Sequence, residues 1–253
     1  MKCSDGHEFT ALLEIPKFAF MFENGLTAFN NGFYIEAFSC FYSAIELFRV
    51  DFSHAYFHSY EGKSVNELKK HFEAIKISER IYGVYKLALG LYSGDSADKE
   101  FTTIKIKVDK NKKITELRNL VVHAGHIPSK NEVEQVGYSI YKYIIKIYQT
   151  FNIKEHDAND SLPWFAIMKY YSDSTIEYCR DNKINYKAVY QNQDLNYTII
   201  SSDIHTSLSL NSGLNISKLP TFEDLLEKNK KHNINKDITE KIVNEEIIIK
   251  KTP

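Results

Sequence analysis

Between Phe22 and Phe57, apolar side chains return every third or fourth residue: Phe29, Phe33, Ala37, Phe41, Ala44, Ile45 and Phe48. That spacing lines one face of an α-helix and does not fit the alternation of a half-buried strand. It constrains the fold more than any other feature. A helix with so apolar a stripe is stable in water only when the stripe is buried against other elements. We read one long helix here, with Gly25 and Gly32 weakening its start by about 1 kcal/mol each relative to Ala. Only 10 Gly and 5 Pro occur in 253 residues, which suits a helical protein better than a turn-rich sandwich.

Further helices follow. Ser64-Val65-Asn66-Glu67 has capping-box spacing and opens a helix carried by Leu68, Phe72, Ile75, Ile81, Tyr85 and Leu89, with Gly94 closing it. Thr102 to Val108 alternates and reads as a short strand or extended loop, and Asp109 to Lys113 reads as a turn. A short helix runs from Ile114 or Thr115 to Ala124, stopped by Gly125. Ser129-Lys130-Asn131-Glu132 is a second capping box, opening a helix to about Phe151. Its two apolar rows, Ile140/Ile144/Ile147/Phe151 and Tyr141/Ile145/Tyr148, make a wide face that is either central in a bundle or shared with a partner.

Beyond Asn152 the pattern loosens. Pro163 to Cys179 reads as a helix with Pro in its first turn. Tyr186–Tyr190 and Tyr197–Ile200 read as short strands joined by the polar Gln191–Asn196 turn. Thr221-Phe222-Glu223-Asp224 starts a short helix, and Ile238 to Lys251 reads as a last one, acidic then basic. The expected fold is mainly α: a four- or five-helix bundle over residues 1–155 and a smaller α+β extension, of unassigned role, over 156–253.

Charge and cysteine content narrow the function. With 32 Lys+Arg against 33 Asp+Glu, the net charge of −1 excludes a polybasic nucleic-acid coat but leaves room for a local patch. Cys3, Cys40 and Cys179 form no CxxC pair, so a reducing compartment and no thiolate zinc site are expected. No apolar run approaches the roughly 18 residues of a membrane span, and Met1 to Glu8 carries no leader pattern, so a cytoplasmic location is expected. Only Arg49, Arg80, Arg118 and Arg180 are arginines. Where Lys fills the surface by default, a rare Arg marks a place where bidentate anion binding can be wanted.

One of them lies in Thr115-Glu116-Leu117-Arg118-Asn119-Leu120-Val121-Val122-His123-Ala124-Gly125-His126. At about 100° per residue, Ile114, Leu117, Val121 and Ala124 face a core, while Asn119, His123 and His126 face away. Asn119 and His123 are i,i+4 neighbours. Arg118 lies about 140° from His123, within reach of a phosphate that His123 also touches. An imidazole can take a ribose 2′-hydroxyl proton or protonate a leaving oxygen, and a guanidinium can hold the phosphate. No metal or cofactor is needed if the ribose supplies the nucleophile. The run before it holds Lys105, Lys107, Lys110, Lys112 and Lys113, a local excess that can attract an RNA backbone, with His126 as a further contact.

Arg118-Asn119 followed by His123, with a polar residue directly after Arg and four residues between Arg and His, resembles the signature of the HEPN superfamily. The resemblance covers about residues 20–152, including the aromatic-rich Phe33-Tyr34-Ile35-Glu36-Ala37 stretch. It implies a homodimerising helical bundle and a metal-independent endoribonuclease. The Arg and His of both chains then meet across the interface, and cleavage leaves a cyclic phosphate. It also implies a toxin, abortive-infection or antiviral-defence setting, with an antitoxin or defence-system partner. Carried over, Arg118 would hold phosphate, Asn119 would orient it or His123, and His123 would be the acid/base. Some toxins of the family carry a modified Tyr two residues after the His. Gly125 stands there, so that regulation does not carry over.

Plainer readings stand beside this one. Arg118, Asn119 and His123 also fit a solvated helix face, and His126 fits a loop contact. Arg49 and His54 repeat the Arg/His spacing, but Val50 follows Arg49 and the pair reads as structural. His54 and His58 are i,i+4 without a third ligand, so no metal site is expected. The rival to a nuclease is a non-catalytic HEPN-like module for dimerisation or nucleic-acid binding. A third reading is a helical sensor whose C-terminal part recognises a ligand.

Overall fold

A computed structural model describes residues 9–13, 15–75, 78–93, 104–106, 112–150, 163–183, 197–201, 206–210 and 216–231. The described chain is mainly helical. In order it runs β1 (Phe9–Leu13), α1 (Lys17–Asn30), α2 (Tyr34–Ser59), α3 (Val65–Glu73), α4 (Ser78–Ser93), β2 (Lys105–Ile106), β3 (Lys112–Lys113), α5 (Ile114–His123), α6 (Lys130–Thr150), α7 (Pro163–Asp181), β4 (Tyr197–Ser201), α8 (Ser207–Leu210) and α9 (Phe222–Lys231). Gly94, Phe151, the Tyr186–Tyr190 strand, the Ile238–Lys251 helix, Cys3, Lys107 and Lys110 lie outside the described residues.

The long first helix is two. Gly32 has φ +78°, a left-handed conformation that no helix continues through, and the Phe33 N–H turns back to the Ala28 carbonyl at 2.9 Å. The break folds α1 onto α2. Gly25 permits the approach, since a Cβ there would stand 2.5 Å from the Phe41 ring. Phe18, Phe22 and Leu26 of α1 meet Phe41 and Phe48 of α2 in a fully buried layer, with Phe18 edge-on to Phe48 at 5.2 Å. Each such side chain contributes about 1.5–3 kcal/mol by leaving water.

The helix expected from Ser64 to Leu89 is also two, α3 and α4. Its capping box is formed: Glu67 accepts the Ser64 N–H at 2.9 Å, and the Ser64 hydroxyl accepts the Glu67 N–H at 3.3 Å. The second box opens α6 in the same way through Ser129 and Glu132. Of the two offered places for the wide face of α6, the structure uses the central one. Ile140, Tyr141, Ile144, Ile145, Ile147 and Tyr148 are all buried inside the bundle.

Segments beyond residue 155 pack into this same core. Ile167 of α7, Leu208 of α8, and Phe222 and Leu225 of α9 are buried with it. Phe222 sets its ring 5.3 Å from Phe29 and 6.1 Å from Phe41, over Gly137 of α6. The α9 helix is held further by Asn229, whose Nδ2 donates to the buried Glu23 carboxylate at 3.0 Å. Glu23 also accepts the Ser207 N–H. The predicted strand at Tyr197 is β4, and it pairs in parallel with β1, from Phe9↔Tyr197 to Leu13↔Ser201. A second, antiparallel pair joins Lys105↔Lys113 and Ile106↔Lys112, just ahead of α5.

Among the described residues no helix is long and apolar enough to cross a membrane. Neither Cys40 nor Cys179 forms a disulfide.

Candidate functional site

The candidate stripe sits on α5, a ten-residue helix fixed at both ends. At the start, the Ile114 N–H donates to the Ile104 carbonyl at 3.2 Å, and the Glu116 carboxylate accepts the Lys113 N–H at 3.1 Å. At the end, Gly125 adopts φ +67°, and the Ala124 and His126 N–H groups both reach the Leu120 carbonyl at 3.1 Å. Ile114 and Leu117 are buried, and Val121 packs against the core, as the helical wheel required. Ala124, expected in the core, is exposed. It is the C-cap, and a residue past the last helical turn no longer follows the helix period.

Arg118, Asn119 and His123 come together. The Arg118 Nη1 donates to the Asn119 Oδ1 at 3.2 Å and lies 3.0 Å from the His123 Nε2. A guanidinium only donates, so Nε2 accepts and the imidazole proton sits on Nδ1. Arg118 spans the 140° to His123 through its long stem. Asn119 and His123 are exposed and Arg118 is half-buried, so the group is open to a ligand while its cation is anchored. The anchor is Tyr42 of α2, whose ring lies 5.9 Å from the Arg118 Cζ. Burial raises the Tyr42 hydroxyl above its ordinary pKa, and Glu46 adds to this, while Arg49 and Arg118 oppose it. Sequence reasoning missed Tyr42. The available signal was its place on the aromatic-rich second helix, but nothing local says which strand or helix it will face.

The other expected contacts diverge. Lys105 and Lys113 are exposed and Lys112 is half-buried, all at the two-stranded step leading into α5. His126 points elsewhere: its Nε2 lies 3.1 Å from the Glu132 carboxylate and closes the α5–α6 turn. Burial raises the Glu132 carboxyl, and the Ser129 N–H, His126 and the Ser129 hydroxyl outweigh it, leaving the pKa below its ordinary value. Exposed Leu120, Val122 and Ile127 flank the stripe.

The second Arg/His pair lies in a different setting. Arg49 is 7 % exposed, with its Cζ 4.7 Å from the Tyr82 ring centre. The His54 ring is wedged 3.9 Å from Phe72 and 4.8 Å from Tyr170, and burial lowers its pKa to about 4. His58 spends both ring nitrogens on a protein tie, Nδ1 at 2.7 Å from the Lys63 carbonyl and Nε2 at 2.7 Å from Asp173. Among the described residues no group of three or more His, Cys, Asp or Glu is placed to hold a metal.

No protein-family model, curated protein or solved structure matches the chain. The site therefore has to be judged on its own chemistry.

Proposed function

We propose that this protein is a metal-independent endoribonuclease of HEPN type, working as a cytoplasmic homodimer in a toxin or defence role. One observation carries the reading: Arg118, Asn119 and His123 form a hydrogen-bonded group on an exposed helix face, anchored over Tyr42. The bond between Arg118 and Nε2 is a resting arrangement. A phosphate, a stronger acceptor for the guanidinium than a neutral imidazole, draws Arg118 to itself. That releases the Nε2 lone pair beside the same phosphate. His123 then takes the 2′-hydroxyl proton, the 2′-oxygen attacks phosphorus, and the bond to the 5′-oxygen breaks. The leaving 5′-oxygen is protonated by the partner's imidazolium or by water, and a 2′,3′-cyclic phosphate remains. Arg118 stabilises the charge that builds on the phosphoryl oxygens.

Leu120, Val122 and Ile127 support a dimer on this face, since exposed apolar residues beside a polar stripe suit an interface. The test is incubation of purified protein with end-labelled RNA in EDTA, followed by end-group analysis. Cyclic-phosphate ends are expected. Intact RNA, or products with 3′-hydroxyl and 5′-phosphate ends and no 2′,3′-cyclic phosphate, would defeat the reading. The same exposed apolar residues also suit the rival reading, a non-catalytic module that docks a partner through α5; protein that dimerises and binds RNA yet leaves it intact would favour that rival.

A further inference from the structure

The His54/His58 spacing on α2 belongs to a longer stripe. Asp51, His54 and His58 stand at i, i+3 and i+7, on one face of the helix, and each meets α7. Asp51 accepts the Tyr171 hydroxyl at 2.8 Å. The His54 ring stacks on Tyr170 at 4.8 Å. The His58 Nε2 lies 2.7 Å from the Asp173 carboxylate. All three rungs change with protonation, whereas α1 meets α2 through the Phe18, Phe22, Phe41 and Phe48 rings. The apolar grip of α7 is small. Among its described side chains only Pro163, Ile167, Tyr170 and Cys179 are buried. Its Glu177 Oε2 is buried with no hydrogen-bond partner among the described residues, which costs docking energy.

The His58 rung has a proton requirement set by its geometry. Nδ1 faces the Lys63 carbonyl at 2.7 Å, and Nε2 faces Asp173 at 2.7 Å. A carbonyl and a carboxylate only accept. A neutral imidazole has one N–H and serves one of them, whereas the imidazolium serves both. The side chain is 15 % exposed, which limits replacement of a lost bond by water. We propose that α7 is a proton-dependent latch, clamped to α2 while His58 is an imidazolium and loosened when that proton leaves. The inference stands apart from the ribonuclease reading.

Facing His58 are Asp173 and Tyr170 of α7, the Tyr170 ring at 5.7 Å, and Lys63 through its carbonyl. The α3 helix turns Glu67 to its own Ser64 cap and sets Phe72 against His54. Around Asp51 stand Lys17 of α1, Tyr148 of α6, and Tyr170 and Tyr171 of α7. Asp51 and His54 pull in opposite senses. Docking keeps Asp51 protonated up to about pH 7 and His54 neutral down to about pH 4, so their effects largely cancel between about pH 4.5 and 6.5. His58 is left to set most of the response above that range.

The test is hydrogen exchange of the full chain read by mass spectrometry, corrected for intrinsic exchange at each pH, on the parent and on Asp173→Asn. An Asn there offers both a carbonyl and an amide N–H, so it completes the rung for the neutral ring as well as the charged one. The Asp173 side chain is 41 % exposed, so the change leaves the bundle intact. The Asp51 and His54 trends are common to both proteins and cancel in their ratio. Opening of α7 in the parent, relative to Asp173→Asn, is expected to rise at least about fivefold from about pH 6 to pH 8, while α1 and α2 stay protected in both. Alkylation of Cys179, a buried thiol on α7, gives a second readout when its rate is divided by that of the urea-unfolded chain at the same pH. It is expected to follow the same ratio. A ratio that stays constant with pH would overturn the latch, as would α1 and α2 opening together with α7.

Discussion

Two Arg/His pairs with the same spacing occupy opposite environments in one chain. Arg49 and His54 are turned inward from α2, the Arg against Tyr82 and the His between Phe72 and Tyr170, with no hydrogen bond between them among those described. Arg118 and His123 are turned outward on α5 and bonded at 3.0 Å. Spacing is identical, so spacing does not make a site. What differs is what each helix face does. The α2 helix is central and buries both flanks, whereas α5 lies at the edge and buries only Ile114 and Leu117. The residue after Arg differs as well: Val50 is apolar, and Asn119 bonds the guanidinium.

This contrast predicts opposite costs for matched substitutions. Arg49→Ala should lower stability by about 3 kcal/mol, because it removes a buried side chain and its ring contacts. Arg118→Ala should stay within about 0.5 kcal/mol in the same urea titrations. RNA cleavage by Arg118→Ala should fall about 100- to 1,000-fold, the usual loss of a donor that serves the transition state. Equal stability losses for the two arginines would erase the distinction between inward and outward pairs.

The inward region carries a pH signature that the outward one lacks. Burial raises the Asp51 carboxyl to about 7, against the Tyr171 hydroxyl bonded at 2.8 Å and the Lys17 charge. In the unfolded chain Asp51 ionises near its ordinary value, so between about pH 4 and pH 7 the folded state holds the extra proton. Its contribution therefore falls as pH rises through that window. His54 works in the opposite sense. Its pKa is lowered to about 4, so stability is lost as pH falls from about 6.5 toward 4. Asp51→Asn should leave the His54 trend alone, so the variant gains on the parent by about 2 kcal/mol between pH 5 and pH 7. A constant difference across that range in thermal melts would show Asp51 to be ordinary.

Smaller effects sharpen the same boundary. Gly25→Ala pushes a Cβ into Phe41 and should cost about 1–3 kcal/mol, while Gly83→Ala on α4, with open space around it, should be neutral or slightly stabilising. Ser129→Ala removes the cap of α6 and should cost about 1 kcal/mol by denaturation.

Features with a local cause were legible in the sequence. Both capping boxes, the Gly125 stop, the Pro163 start and the Thr221 start depend on neighbours a few residues away. The polar face of α5 was legible because a wheel needs only periodicity. The break at Gly32 was not, because a glycine inside a helical pattern signals a propensity cost and a positive φ equally well. The split of α3 from α4 was hidden by apolar positions that kept helical spacing across it. The seating of Phe222 on Phe29 and Phe41, the pairing of β1 with β4, and Tyr42 beneath Arg118 join parts distant in sequence, and no local pattern announces such contacts.

The most direct test sets the two histidines against each other. End-labelled RNA is incubated in EDTA with the unmutated protein, His123→Ala and His54→Ala, each at equal folded concentration. The account predicts cyclic-phosphate products from the unmutated protein and from His54→Ala, and a loss of about 100-fold or more from His123→Ala alone. Undiminished cleavage by His123→Ala would contradict it.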